Sequence, residues 1–146
     1  MNQFVRPDWL PSVPSGTRLL VTGASGGLGS ALVDMLLEGS GCLVGAHGAS
    51  KEYPGRDDRV IPLKRSFESE PDCAALVDEF ADRAGGIDAL VVLSGAIGFS
   101  GHWNHMSGSE WEREIDVNLN HPFFLARAAM RKMKDQGTGG RILLTG

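Results

Sequence analysis

The stretch from Leu19 to Gly29, LLVTGASGGLG, constrains the fold more than any other part of the chain. An apolar, strand-prone run (Leu19, Leu20, Val21) stops at Thr22-Gly23. Glycines then recur at Gly23, Gly26, Gly27 and Gly29, and an apolar helical pattern begins at Leu28. Strand, glycine turn and helix in that order aim a helix N-terminus at the space beyond the strand. The N–H groups there lack intrahelical acceptors and the helix dipole favours negative charge, so the layout suits a phosphate. Gly23 supplies a tight turn, Gly27 lets the main chain approach a pyrophosphate, and Gly29 lets helix and strand pack closely. The bland alternative is an ordinary strand-to-helix turn; the flanking strand and helix favour dinucleotide binding.

Bulk properties narrow the class. At 146 residues the chain is one domain, long enough to bury about 68–70% of its unfolded surface. A net charge of −4 gives no basic footprint for nucleic acid. No apolar run approaches the ~18 residues of a membrane span, and the N-terminus lacks a charged segment followed by an apolar core. Cys42 and Cys73 have no motif spacing and read as reduced, buried thiols of a cytoplasmic protein.

Residues 1–16 carry Pro7, Pro11 and Pro14 with Phe4, Trp9 and Leu10, which excludes a helix and predicts an extended arm anchored by its aromatics. From residue 17 onward strands and helices alternate. A helix is predicted over Leu28 to Glu38, with Leu28, Leu32, Met35 and Leu36 on one face and Gly39 and Gly41 ending it. Cys42 to Ala46 is a short second strand, and Val60 to Leu63 a third. Lys51 to Arg59 is a polar connection holding Tyr53. The next helix has Ser69 and Asp72 spaced as a capping box and an apolar face of Leu76, Val77, Phe80, Ala81 and Ala84. Ile87 to Leu93 is nearly unbroken apolar, as in a parallel strand covered on both faces, with Asp88 at its entrance. A loop from Ser94 to Met106 follows. A long helix is predicted over Ser109 to Lys134, capped by Ser109 and Glu112, with Ile115, Leu119, Phe123 and Ala126 on one face. Arg141 to Thr145 begins a fifth strand. The pattern is a doubly wound α/β parallel sheet of about five strands.

If the turn binds a dinucleotide, the residue closing the second strand meets the adenosine ribose, and an acidic residue there would suit NAD. His47 occupies that position, with Lys51 close by. The missing carboxylate removes a charge that would repel a 2′-phosphate, which leans towards NADP; His47 is otherwise a polar loop residue.

Thr22-Gly23-Ala24-Ser25-Gly26-Gly27-Leu28-Gly29 resembles the TGxxxGxG loop of the short-chain dehydrogenase/reductase family. Ile115 to Phe124, IDVNLNHPFF, is similar to the family's helix with its catalytic asparagine, and Gly140 to Thr145 to the strand leading into its catalytic serine. The resemblance covers about Arg18 to the end and implies a Rossmann-like fold over residues 17–146. It also implies an NAD(P)-dependent oxidoreductase acting on an alcohol or carbonyl substrate, and a homo-oligomer with the Asn118 helix in the dimer interface. By the same resemblance the cofactor-binding set is Gly23, Ser25, Gly26, Gly27, Leu28, Gly29, His47, Ser66, Phe67, Ser94 and Gly95, and the catalytic residue is Asn118. The residues support Asn118 independently. Pro122 has no N–H, so the helical bond to the Asn118 carbonyl cannot form. In the family the corresponding asparagine backbone holds a water in a proton relay to the catalytic lysine; the bland alternative is a proline kink over a core helix.

The departures are specific. The family's Asn-Asn-Ala-Gly after the fourth strand corresponds here to Val92-Leu93-Ser94-Gly95, and its aspartate after the third strand to Ser66-Phe67. The family's catalytic serine, and its tyrosine with a lysine four residues on, are expected beyond Gly146. The sole tyrosine, Tyr53, stands in no such pattern. The chain therefore reads as the cofactor-binding half of such an enzyme. A non-catalytic dinucleotide-binding sensor or subunit and an inactive truncated fragment are the alternatives. His102, Trp103 and Met106 in the loop are candidates for substrate contact or a variable surface; a zinc site at His102 and His105 lacks a third ligand, and no residue is assigned to a metal.

Overall fold

A computed structural model of the chain describes residues 12–53 and 57–146. The elements run β1 (Arg18–Thr22), α1 (Gly27–Gly39), β2 (Leu43–Gly48), β3 (Val60–Lys64), α2 (Glu70–Ala84) and β4 (Ala89–Val92). A 3-10 turn (Trp103–His105) then leads to α3 (Gly108–Ile115), a π turn (Asp116–Asn120), α4 (His121–Gln136) and β5 (Arg141–Leu144). The sheet is parallel throughout, in the order β3-β2-β1-β4-β5. Strand order therefore reverses at β1, and a crevice opens beyond the carboxyl ends of β1 and β4. The register sets Thr22 level with His47 on one side and Val92 on the other. Of the expected arm, residues 1–11 lie outside the described residues.

Each sheet face has its own core. On one, Leu19, Val21, Val44 and Ala46 pack with Val33 and Leu36 of α1. On the other, Leu20, Leu63 and Leu90 pack with Leu76, Val77 and Phe80 of α2 and Leu125, Ala129 and Met133 of α4. The Phe80 ring lies over Gly45, where a Cβ would come within 2.5 Å of it. The entrances of β1 and β4 are tied together: Asp88 accepts from Arg18 N at 2.8 Å, Nε at 2.8 Å and Nη2 at 2.6 Å.

Several local expectations are corrected. The buried side of α1 is Gly29, Val33 and Leu36, whereas Leu28 is 69% exposed. The cause is Gly29, where a Cβ would overlap the carbonyl oxygen of Gly23. That glycine must face the turn, which fixes the roll of the helix and sends Leu28 outward. Strand β2 continues through Gly48, paired with Lys64 of β3, so His47 lies in the strand and is buried, not in a loop. Tyr53 is also buried. At α2 the Ser69 hydroxyl donates to Asp72 Oδ2 at 2.8 Å, and that carboxylate takes the Glu68 N–H at 3.1 Å. The expected capping box is absent there because Ser69 uses its hydroxyl as a donor to the side chain.

The long helix is broken and starts earlier. Its cap is Ser107, which accepts from Glu110 N at 3.3 Å while Glu110 Oε2 accepts from Ser107 N at 2.8 Å. Ser107 and Glu110 form the capping box in place of Ser109 and Glu112. Pro122 cannot donate, and the helix passes it through the wider π turn, with His121 N–H on the Asp116 carbonyl. The wider turn shifts the phase of everything after it. The buried residues of α4 are His121, Pro122, Leu125, Ala129 and Met133, while Leu119 is 60% and Phe123 55% exposed. The expected Ile115, Leu119, Phe123 and Ala126 face is thus not the core face.

Candidate functional site

The glycine turn places the N-terminus of α1 at the crevice. Gly23 has φ +75°, and a Cβ there would come within 2.8 Å of Leu93 C and Ser94 N, so the residue is both left-handed and pressed against the strand next door. Gly26 is the N-cap of α1, with no side-chain cap and no acidic residue in the first turn. Around Gly27 a Cβ would meet nothing within 4 Å. The first N–H groups of α1 thus present positive potential without a carboxylate to neutralise it, a fit for an anion approached by main chain. Ala24 N–H donates to the His47 carbonyl at 2.7 Å, fixing the turn to β2.

A cavity of about 380 Å³ opens over this turn. Its walls are Gly23, Ser25 and Gly26, then His47, Ala49 and Ser50 after β2, and Ser66 and Phe67 after β3. Leu93, Ser94, Gly95 and Ala96 after β4, with Val117 and His121 from the helical arm, complete them. Among the described residues no Asp, Glu, Lys or Arg lines it. The volume falls within the usual range for small-molecule sites.

His47 is 1% exposed. Its Nε2 lies 2.8 Å from the carbonyl oxygen of Arg65, its ring stacks on Phe67 at 4.8 Å between centroids, and Phe67 meets His121 edge-on at 5.7 Å. Burial pushes the His47 pKa below the ordinary histidine value; the Arg65 carbonyl works the other way and the Arg65 charge adds to the lowering. His121 is lowered as well, mainly by burial, against the opposing pull of Asp116 and Asp72. Nδ1 of His47 is buried with no hydrogen-bond partner among the described residues, a condition costing about 1–3 kcal/mol. Ser94 Oγ lies 2.8 Å from Thr22 Oγ1, so the small side chain that stands where the resembled motif has alanine is tied back to β1.

Asn118 does not line the cavity; its neighbour Val117 does. Its Nδ2 donates to the Ala96 carbonyl at 2.8 Å and its Oδ1 accepts from Ala96 N–H at 3.1 Å. Glu114, one turn earlier, accepts from Gly98 N at 2.5 Å and Phe99 N at 3.1 Å. Its second oxygen takes Asn118 Nδ2 at 3.2 Å. Together the two side chains hold the segment from Ala96 to Phe99 against the helical arm.

The sequence-expected residues therefore divide. Gly23, Ser25, Gly26, His47, Ser66, Phe67, Ser94 and Gly95 converge on the cavity. Gly27 and Leu28 stand at the first turn of α1 and Gly29 packs beneath it, all outside the lining. Trp103 and His105 are exposed in the 3-10 turn with His102 as its cap, and His102, Trp103 and Met106 lie outside the lining. No group of three His, Cys, Asp or Glu side chains poised for a metal occurs among the described residues. Sequence reasoning missed Ala49, Ser50, Ala96, Val117, His121 and Glu114. The first three follow strand ends, where ligands of such sheets bind. Val117 and His121 are four apart, and Glu114 is four before Asn118, spacings that share a helix face.

A family model described as short chain dehydrogenase matches residues 17–146. The chain is 26% identical to "Short chain dehydrogenase claC" of Passalora fulva, over 97% of this chain and 54% of that protein. It is 32% identical to "Nodulation protein G" of Rhizobium sp. (strain N33), over 90% of this chain and 55% of that protein. A solved short-chain dehydrogenase/reductase from Serratia marcescens superposes with a TM-score of 0.69 at 26% identity, over 88% of this chain and 56% of that one. The chain spans about half the length of the curated relatives it matches.

Proposed function

The chain belongs to the short-chain dehydrogenase family, and on that premise we propose that it binds a nicotinamide dinucleotide, NAD or NADP, for the oxidation or reduction of an alcohol or carbonyl substrate. One observation carries the reading: an uncapped, carboxylate-free helix N-terminus opens onto a cavity at the point where strand order reverses. When bound, the cofactor supplies or accepts the hydride. The first turn of α1, with Ser25, Gly26 and Gly27, would hold the pyrophosphate, and Leu28 offers an apolar surface beside it. Gly29 serves by letting the turn close. His47, Ser66, Phe67, Ser94 and Gly95 would take the adenosine end. Asn118 holds the loop at Ala96, and Pro122 denies its carbonyl the usual helical donor, which supports the family's role for that carbonyl.

Calorimetric titration with NADH and NADPH tests the reading. Micromolar to submillimolar binding of either supports it; no binding of either at millimolar concentration overturns it. The exposed apolar side chains Trp111, Leu119, Phe123 and Met130 support a homo-oligomer built on the Asn118 arm. Two free, buried cysteines agree with a cytoplasmic setting, and no helix among the described residues is long and apolar enough to cross a membrane.

A second reading has its own observation. Tyr53, the sole tyrosine, donates its hydroxyl hydrogen to Asp34 Oδ1 at 2.7 Å and is buried. Burial comes first and the Asp34 bond second in pushing its pKa up to about 12. Burial and the Asp34 bond both disfavour the tyrosinate near neutral pH. This takes Tyr53 out of the candidates for proton transfer, and the alternative reading is a dinucleotide-binding sensor or one part of an enzyme. Binding without turnover of simple alcohols or carbonyls is the outcome expected of it.

A further inference from the structure

The loop after β4 walls the cavity with almost no burial to hold it. Gly95 to Gly98 are exposed and Ile97 is 91% exposed, so apolar packing does not fix a segment whose Gly95 and Ala96 line the cavity. Its position rests on two side chains four apart on the helical arm, Glu114 and Asn118. Glu114 Oε1 accepts from Gly98 N–H at 2.5 Å and from Phe99 N–H at 3.1 Å. Its Oε2 takes Asn118 Nδ2 at 3.2 Å. A carboxylate only accepts, so the amide turns Nδ2 towards it, and Oδ1 is left for the Ala96 N–H at 3.1 Å. Two glycines let the loop press against the arm. A Cβ on Gly98 would lie 2.9 Å from Glu114 Oε1, and one on Gly95 3.0 Å from Asn118 Oδ1. Resting on the dinucleotide reading above, we propose that Glu114 is a positioning residue for the cofactor. Its carboxylate pins Gly98 and Phe99 and orients the Asn118 amide, and so holds the wall of Gly95 and Ala96 in the form that receives the dinucleotide.

Glu114 acts through the loop and not on the ligand. It stands outside the cavity lining, and among the described residues no Lys, Arg or His pairs with it. By charge alone, removing a carboxylate near the site of an anion would tighten binding. Positioning predicts the opposite sign. A loop released from its two main-chain bonds spends part of its time in forms that do not receive the ligand, and apparent affinity falls with the fraction that stays competent. Reach decides which side chains can substitute. Both main-chain bonds fall on one oxygen, so glutamine, which keeps an oxygen at that distance, can stand in for glutamate. Aspartate keeps the charge and is one methylene short.

Calorimetric titration of the 146-residue chain with whichever of NADH and NADPH wild type binds more tightly, and NMR amide exchange at Gly98 and Phe99, decide the matter. Glu114→Ala is expected to speed exchange at both amides about tenfold or more and to weaken the cofactor about fivefold or more. Glu114→Asp should follow it. Glu114→Gln should keep exchange and affinity within about threefold of wild type. If Glu114→Ala loses its circular dichroism, Glu114→Asp and Glu114→Gln still carry the test. A folded Glu114→Ala or Glu114→Asp that binds the cofactor as tightly as wild type, or more tightly, overturns this inference alone, whatever its melting temperature. So does Glu114→Gln weakened as far as Glu114→Asp. Wild type binding neither cofactor refutes the dinucleotide reading and this inference with it.

Discussion

Asn118 grips Ala96 on both sides of the residue, donating from Nδ2 to its carbonyl at 2.8 Å and accepting at Oδ1 from its N–H at 3.1 Å. An amide is the one side chain of this size that does both. Asn118→Ala is expected to destabilise the fold by about 1–2 kcal/mol. Asn118→Asp removes the donor and sets a second carboxylate beside Glu114, so its deficit should grow as pH rises through the carboxylate range. Thermal melts of both variants at pH 4 and pH 7 check this; equal deficits at the two pH values would refute it.

Gly29 should tolerate no side chain. A Cβ there would overlap the Gly23 carbonyl oxygen, and neither backbone can retreat without opening the turn. Gly29→Ala is expected to cost about 1–3 kcal/mol and to abolish NADH binding. Gly27→Ala, in open space, should leave stability within about 0.5 kcal/mol. The pair is read by denaturant unfolding and titration.

The Arg18 guanidinium and main-chain N–H hold the Asp88 carboxyl below the usual carboxylate range, its burial opposing them. A depressed native pKa means stability present above the unfolded pKa and lost as pH falls through the native one. Wild type should therefore lose stability faster than Asp88→Asn as pH drops below about 4. At pH 7 the variant should be less stable by about 1 kcal/mol. Parallel acid titrations of the two would sink the idea.

Tyr53 gives a direct optical test. With its pKa up to about 12, it should show no tyrosinate absorbance at pH 10.5 in the folded chain. A native pKa above the unfolded one means the contribution is whole below about 10, and it is lost as pH climbs through the native value. Tyr53→Phe should cost about 1 kcal/mol and leave NADH affinity unchanged.

Phe123 stands 55% exposed on the helical arm with Arg127 over its ring at 5.4 Å. If the arm forms a homo-oligomer, Phe123→Asp should yield a monomer by light scattering with its circular dichroism intact. A wild-type chain already monomeric at high concentration would refute the interface.

What the sequence made legible follows from how local each cause is. The glycine turn, the five strands and the helix-ending Gly85 and Gly137 are written in short patterns, and the fold places them as read. His47 is legible as a position; the contact of its Nε2 with the Arg65 carbonyl, eighteen residues away, is not. The core side of α4 was misread because a period of 3.6 was carried across Pro122. That proline advertises the lost hydrogen bond, yet whether a helix kinks or widens is decided by packing, here the burial of His121 and Leu125. Leu28 likewise looked like core, and only the Gly29 contact turns it outward.

The uncharged lining has a kinetic consequence. A dinucleotide is an anion and the chain carries a net charge of −4, with no basic side chain among the described lining residues to draw the ligand in. Attraction begins only within reach of the α1 dipole, which fades over about one turn. Encounter is therefore unsteered and mildly opposed at long range, so added salt, by screening that opposition, should quicken capture even where it leaves the bound state untouched.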